Sequence, residues 1–457
     1  MNPPEVTNAL YRYLDLVQRG LDTIARSRSA PTVGGAFDPG HLLPARSEAL
    51  ERFFGPSRLA LARLGTYRGR RISLLDLMGN PRTRTTKTFA SLVIVARLVR
   101  HIQATGEPGL IVTPSSGNKA TALRDAVLRA VEAGLVEPDQ LQITVVVPDT
   151  ARSKLWSSPL ATDERLRDRN PVVVHAGAAR SSVKEVAQEA VRTCAPELRE
   201  RAGVNVWYTL DLDNYRAGDV VRAAFEQEAF PPGPNGRLHV HAVSSAYGLL
   251  GHSFGWSLLD GSGGPGTRSR YLLVQHLETP DMVLSLHHGS TSREHVPAYR
   301  RDEEEGIFRQ ESDPRFPATT FDPEECLDTT FYTRRPPTSE AMNRLIRRNG
   351  GGGIVVSLHE CLARYAEIGA LLAHGQVELP KDPRRLREWS LVMAMTGVLN
   401  AIDRGLAEDE DILVHGSGCY ADDQFDALPA HLCVPVADAA ELHRVISASA
   451  LAPQRTR

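Results

Sequence analysis

Asn80-Pro81-Arg82-Thr83-Arg84-Thr85-Thr86-Lys87-Thr88-Phe89 is a stretch in which a turn runs straight into a helix. From there Phe89, Leu92, Val93, Ala96, Val99 and Ile102 repeat at helical spacing, with Arg97, Arg100 and His101 on the opposite face, so a helix is expected over 88–104. Thr85 or Thr86 is expected to cap it. Lys87 then stands at the positive end of the helix dipole, where the ammonium form is disfavoured, and burial would act in the same direction. A lysine so placed can attack an aldehyde, as Schiff-base chemistry requires. Read alone, the segment fits a solvated lysine at a helix start equally well. The chain has five lysines, Lys87, Lys119, Lys154, Lys184 and Lys381, so candidates for such chemistry are few.

Outward from this stretch, apolar strand-like runs occur at 72–77, 110–112, 143–147, 172–174, 204–209, 238–243, 271–274, 354–356, 412–414 and 432–436. Helical patterns lie among them at 119–133, 183–193, 220–229, 358–373 and 386–404. Such alternation, with strands apolar on both faces, implies α/β architecture with parallel sheets covered on both sides. An amphipathic pattern at 1–28, with Leu10, Leu14, Val17, Leu21 and Ile24 on one face, reads as an N-terminal helical extension. A Pro- and Gly-rich linker follows at 29–44. A glycine turn is expected at 261–267. The segment 287–328 reads as a long charged loop, a length usually reserved for functional or mobile segments, and a lid over the active cleft is the role expected of it.

Three further turns follow strands, where α/β folds bind ligands. Thr113-Pro114-Ser115-Ser116-Gly117-Asn118-Lys119 offers hydroxyls and backbone N–H groups at a helix start, an anion site suited to a carboxylate. Ser244-Ser245-Ala246-Tyr247-Gly248-Leu249-Leu250-Gly251 could hold a phosphate, although it is no dinucleotide fingerprint. Ile412-Leu413-Val414-His415-Gly416-Ser417-Gly418 ends a strand in a glycine turn bearing His415 and Ser417.

Each turn alone is ambiguous, but their order is specific. A lysine after an Asn-Pro loop, a Ser-Ser-Gly-Asn turn, a phosphate loop and a late Gly-x-Gly strand end resemble the layout of fold type II pyridoxal 5'-phosphate (PLP) enzymes, the tryptophan synthase β-like class. Within it the likeness is to threonine synthases. Asn214-Tyr215-Arg216-Ala217-Gly218, the segment Gly350 to Ser357, and Glu388-Trp389-Ser390 resemble further segments of that family in the same order. The likeness spans about residues 60–425.

The resemblance implies two lobes, 49–105 with 230–457 as the large cofactor-binding lobe and 106–229 as the small one, after the 1–48 extension. Lys87 would carry the cofactor and act as catalytic base. Asn118 would bond the cofactor's 3′-oxygen. Ser115, Ser116 and Gly117 would hold the substrate carboxylate, with Arg216 also facing substrate. Ser244, Ser245, Ala246, Tyr247 and Gly248 would bind the phosphate, and Ser417 or His415 would face the pyridine nitrogen. The chemistry implied is β- or γ-elimination or replacement on an amino acid in a specialised pathway, by a lyase or transferase. Dehydratase-like and cysteine synthase-like activities are alternatives, as is a non-catalytic binding or regulatory relative.

Departures from the family narrow the substrate. The loop before Lys87 is one residue longer and carries Arg82 and Arg84, and Arg84 is expected to meet an anionic group. Where threonine synthases grip a substrate phosphate, this chain has Asp211-Leu212-Asp213, whose carboxylates would repel one.

Composition is that of an ordinary globular protein: 457 residues, 42% hydrophobic, 24% charged, net charge −2. That charge gives no drive toward nucleic acid or anionic membrane. No run approaches a membrane span and no signal peptide is evident, so a cytoplasmic enzyme is expected, paired as a homodimer by the resemblance. Five scattered cysteines imply reduced thiols rather than a disulfide framework. His287, His288 and His295 lack metal-ligand spacing, and no metal is assigned.

Overall fold

The structure, a computed structural model, describes residues 3–27, 37–177, 182–209, 213–259 and 269–452. The turn at 261–267, most of the linker, Asp211 and Leu212 lie outside these residues. The chain forms two compact units. Unit 1 comprises Met1–Thr7, Arg58–Gly79 and Asp219–Asp422; unit 2 comprises Asn8–Ser57, Asn80–Gly218 and Asp423–Arg457.

Unit 1 is built on a seven-stranded sheet in the order Glu5–Val6, Leu59–Tyr67, Arg70–Asp76, Asp411–Gly416, Arg237–Ala242, Ser269–His276, Gly351–Val356. The first two pairings are antiparallel and the rest parallel. The central strands are buried along nearly their whole length, including the histidines they carry among apolar residues. Helix Ser390–Asp403 is apolar on every side and lies within the core, among Leu238, Val274, Ile354 and Val414. Gly397 permits the close approach, since a Cβ there would lie 2.5 Å from Val274 Cγ2.

Unit 2 is built on a five-stranded parallel sheet in the order Cys433–Val436, Val172–His175, Leu141–Pro148, Gly109–Pro114, Asn205–Tyr208. Helices Ser182–Ala202 and Ala439–Ala450 pack on one another through Val183, Ala187, Val191, Leu442 and Ile446, over Leu110, Val112 and Val146 of the sheet. Helices Lys87–Thr105 and Asn118–Glu132 also pack together.

All ten apolar runs form strands. The N-terminal helices form at Ala9–Arg12 and Leu14–Ser27, burying Leu10, Leu14, Val17, Leu21 and Ile24. The strand Glu5–Val6 ahead of them joins the unit 1 sheet. The strand Leu59–Tyr67 escaped the sequence reading because its alternation is broken by a register shift between Arg63 and Gly65, with Gly65 at φ +96°.

Four expectations need correction. Arg97, set on the polar face opposite the apolar one, is itself buried and bonds Asn214 Oδ1 at 2.6 Å, the Gly40 carbonyl at 2.6 Å and Asp38 at 2.8 Å. The pattern at 358–373 splits at Arg364 into Leu358–Ala363 and Tyr365–His374. The pattern at 386–404 starts its helix only at Ser390, because Leu386–Glu388 pairs with Tyr420–Ala421. The segment 287–328 is not a bare loop. It carries a three-stranded antiparallel sheet (Arg300–Asp302, Ile307–Arg309, Thr319–Thr320), and its Phe316 is buried against Leu277, Val283 and Val355.

Candidate functional site

In unit 2 the loop leading to Lys87 is clamped from beneath. Asn80 Nδ2 donates to Thr88 Oγ1 at 3.1 Å and to Asp125 Oδ2 at 2.8 Å. The hydroxyls of Thr83 and Thr88 lie 2.8 Å apart, and Arg129 Nε bonds Asp125 at 2.9 Å. Asn80, Thr83, Thr88 and Asp125 are all buried. The loop is thereby fixed to the helix that follows the Ser-Ser-Gly-Asn turn. The loop turns at Arg84, whose φ of +48° is uncommon for a residue with a side chain, and whose N–H bonds the Asn80 carbonyl at 2.8 Å.

Lys87 is the first residue of its helix and is partly exposed. The expected threonine cap is absent: Thr86 makes no capping bond through its side chain, and Thr85 Oγ1 is buried with no hydrogen-bond partner among the described residues. Instead the start of the helix is set by the Asn80–Thr83–Thr88 network. Lys87 Nζ lies 5.4 Å from the centre of the Tyr215 ring, over its face. Tyr215 lies 128 positions further along the chain, and nothing in its spacing marks it as the lysine's neighbour.

The turn at 115–118 adopts the expected strand-to-helix geometry, with Gly117 at φ +121°. A Cβ on Gly117 would lie 2.9 Å from Lys154 Cβ, so glycine is required here twice over. Ser115 Oγ accepts from the N–H groups of Gly117 at 3.1 Å and Ala120 at 2.9 Å, which makes it a fastener of the turn. Ser116 is half-buried and Asn118, the first helical residue, is buried. In the helix Asp213–Gly218, Arg216 lies 3.8 Å from Asp213, one turn away.

In unit 1, Ser244, Ser245 and Ala246 lead from the strand Arg237–Ala242 into the helix Tyr247–Leu259. Ser244 Oγ donates to Thr333 Oγ1 at 3.0 Å, and Thr338 Oγ1 donates to the Ser245 carbonyl at 2.6 Å. Ala246 has φ +51°, which turns the chain into the helix. Gly248, Gly251 and Gly255 make this a poor helix by propensity, which is why the sequence did not mark it. Packing overrides propensity: a Cβ on Gly255 would lie 2.7 Å from the Val220 carbonyl oxygen.

The strand Asp411–Gly416 ends in the expected glycine turn. A Cβ on Gly418 would meet Glu388 at 2.7 Å, and the Gly418 carbonyl accepts from Leu391 N. The two polar residues of this turn differ in kind. His415 is wholly buried, with Nδ1 3.1 Å from Arg222 and Nε2 3.1 Å from His239. Ser417 is buried too, but its Oγ has no hydrogen-bond partner among the described residues.

A polar cluster that the sequence reading missed lies beneath. It contains Asp219, Arg222, Glu226, Arg237, His239, His241, His252 and His415, all buried. Glu226 pairs with Arg237 at 2.6 Å and with His252 at 2.7 Å. Burial pushes its carboxyl up, but the hydrogen bond with His252 and the charge of Arg237 hold it below the ordinary range. Burial, and for His415 also the neighbouring Arg222, holds His239 and His415 well below the usual histidine value, so both are neutral. Glu226, His239 and His252 lie close enough to hold a metal ion. The signal was present in Leu238-His239-Val240-His241, two histidines on one face of an otherwise apolar strand.

These observations fit PLP. Ser417 offers a buried hydroxyl in need of a partner, as a ring nitrogen would provide. The Ser244–Gly248 turn precedes a helix start, and a Cβ on Gly248 would fill the space up to Arg222 and His241.

The fold is that of the fold type II class. Threonine synthase from Escherichia coli superposes with a TM-score of 0.53 at 15% identity, over 98% of this chain and 92% of that one. PLP-bound threonine synthase from Brucella melitensis gives 0.53 at 13% identity over the same shares, and the yeast enzyme 0.52 at 12% over 99% and 92%. The chain belongs to the family of unknown function DUF6002, whose profile matches residues 5–450. No curated protein matches the sequence. No helix among the described residues is long and apolar enough to cross a membrane.

Proposed function

We propose that this chain is a PLP-dependent enzyme acting on an amino acid by β- or γ-elimination or replacement. The observation that carries the reading is Lys87 itself: a lysine at a helix start, at the end of a loop locked by the buried Asn80–Thr83–Thr88–Asp125 network. When bound, PLP supplies an electron sink for charge developing at the amino acid's Cα. Lys87 Nζ would take the Cα proton as general base, and the clamped loop would hold it at the proper distance. Ser115 Oγ accepts from two N–H groups of its turn and keeps its own O–H to donate, so Ser115 and Ser116 are both available to grip the substrate carboxylate. A serine hydroxyl at the pyridine nitrogen would leave that nitrogen less protonated, which suits elimination.

Asp213 beside Arg216 lowers the net positive charge available to a phosphorylated substrate, so amino acids with small leaving groups are favoured over homoserine phosphate. The test is to load the purified chain with PLP and add serine, threonine, O-acetylserine and homoserine phosphate in turn, following the visible spectrum and product release. The reading expects a spectral shift and turnover with an unphosphorylated amino acid. A loaded chain that responds to no amino acid would support a binding or regulatory role instead.

A further inference from the structure

We propose that Arg222 is a positioning residue for the cofactor phosphate, a buried guanidinium under Gly248 held in place by Asp219 and by a directional chain through His415 to His239. This rests on the reading of the Ser244–Gly248 loop as a phosphate site. Arg222 is 1% exposed, bonds Asp219 Oδ1 through Nε at 2.8 Å, and has its two terminal nitrogens 2.8 Å from where a Cβ on Gly248 would stand. The guanidinium therefore backs onto the first turn of the helix Tyr247–Leu259. There it adds positive potential to the N–H groups at the helix start, in a loop with few glycines to wrap an anion.

The direction of the chain follows from donor chemistry. A guanidinium only donates, so His415 Nδ1, 3.1 Å from Arg222, must accept. Neutral His415 then carries its proton on Nε2 and donates to His239 Nδ1 at 3.1 Å. His239 is left with its proton on Nε2, which has no hydrogen-bond partner among the described residues and faces Glu226 Oε1 across 3.7 Å. Trp256 Nε1 donates to Glu226, at 3.1 Å. The His239 nitrogen that faces Glu226 thus carries a proton rather than a lone pair. A metal there would need the reverse tautomers, which would set an N–H of His415 against Arg222.

The experiment compares binding of PLP and of pyridoxal, which lacks the phosphate, to the full-length chain, by absorbance titration. The wild type should prefer PLP. The double substitution Arg222→Gln with Asp219→Asn, which removes the buried pair without stranding a charge, should weaken PLP about tenfold and leave pyridoxal within about twofold. Should that chain not fold, His415→Leu should reduce the preference in the same sense. His415→Gln should restore most of it, because a Gln oxygen can accept from Arg222 while its amide donates to His239. Equal losses for both ligands, or no loss, would overturn the role of Arg222 while leaving the cofactor reading intact. A wild type without any preference for PLP over pyridoxal would overturn the phosphate loop, and the proposal with it. Stoichiometric metal in the purified wild type would overturn the tautomer order.

Discussion

At the scale of single residues, the motifs divide into groups that fasten and groups that wait. Ser115 and His415 were both expected to face ligands, and both hold bonds within the protein: Ser115 Oγ accepts from two backbone N–H groups, which leaves its own O–H to donate, and His415 meets Arg222 and His239. Ser417 is the opposite case. A buried hydroxyl without a partner costs about 1–3 kcal/mol. Replacing it by alanine should therefore raise the stability of the cofactor-free chain by about 1 kcal/mol, and should weaken PLP binding by about fivefold through loss of one hydrogen bond. Thermal melts and PLP titrations of Ser417→Ala measure the two effects. A variant that melts lower and binds PLP as tightly as wild type would remove Ser417 from the site. Sequence could not separate these residues, because both kinds look alike as polar letters at a strand end.

At the scale of elements, the ten strands and most helices were legible because their apolar periods were intact. The misses share a cause, in that tertiary contacts decide what local pattern leaves open. The glycine-bearing helix Tyr247–Leu259 forms because Gly255 fits against Val220. The segment 287–328 reads as loop because its strands are two or three residues long, yet Phe316 anchors it in a core cluster. Glu325 ties that segment to the helix Leu358–Ala363 by accepting from Leu358 N at 2.6 Å. Burial pushes its carboxyl from the ordinary 4.5 up to about 7. Between these values the folded chain keeps a proton that the unfolded chain has released, so this group's contribution to stability falls as pH rises from 4.5 to 7, and stays low above. Glu325→Gln retains an acceptor for Leu358 N and never ionises. Its stability should match wild type near pH 4.5 and exceed it by roughly 2 kcal/mol above pH 7. Denaturant unfolding of both chains across that range checks this, and parallel pH profiles would contradict it.

At the scale of the whole molecule, what the sequence carried was order: an Asn-Pro loop and lysine, an anion turn, a second turn, a Gly-Ser-Gly strand end. Both sheets follow from it, and the structure has the fold of threonine synthases at 12–15% identity. What it did not carry was the support beneath each turn. The Asn80–Asp125 clamp joins residues 45 apart in sequence, and the Arg222–His415 link spans 193. Such pairs are set by the packing of elements, and one sequence has no period that marks them.

The central claim is that Lys87 anchors PLP. It is tested by incubating the purified chain with PLP, recording the visible spectrum, reducing with borohydride and mapping the modified peptide, beside Lys87→Ala. The account predicts a visible band in the wild type and about one pyridoxyl group per chain on Lys87, with the band of the anchored cofactor absent from the variant. A wild type that takes up no PLP, or that carries it on Lys119, Lys154, Lys184 or Lys381, would contradict it.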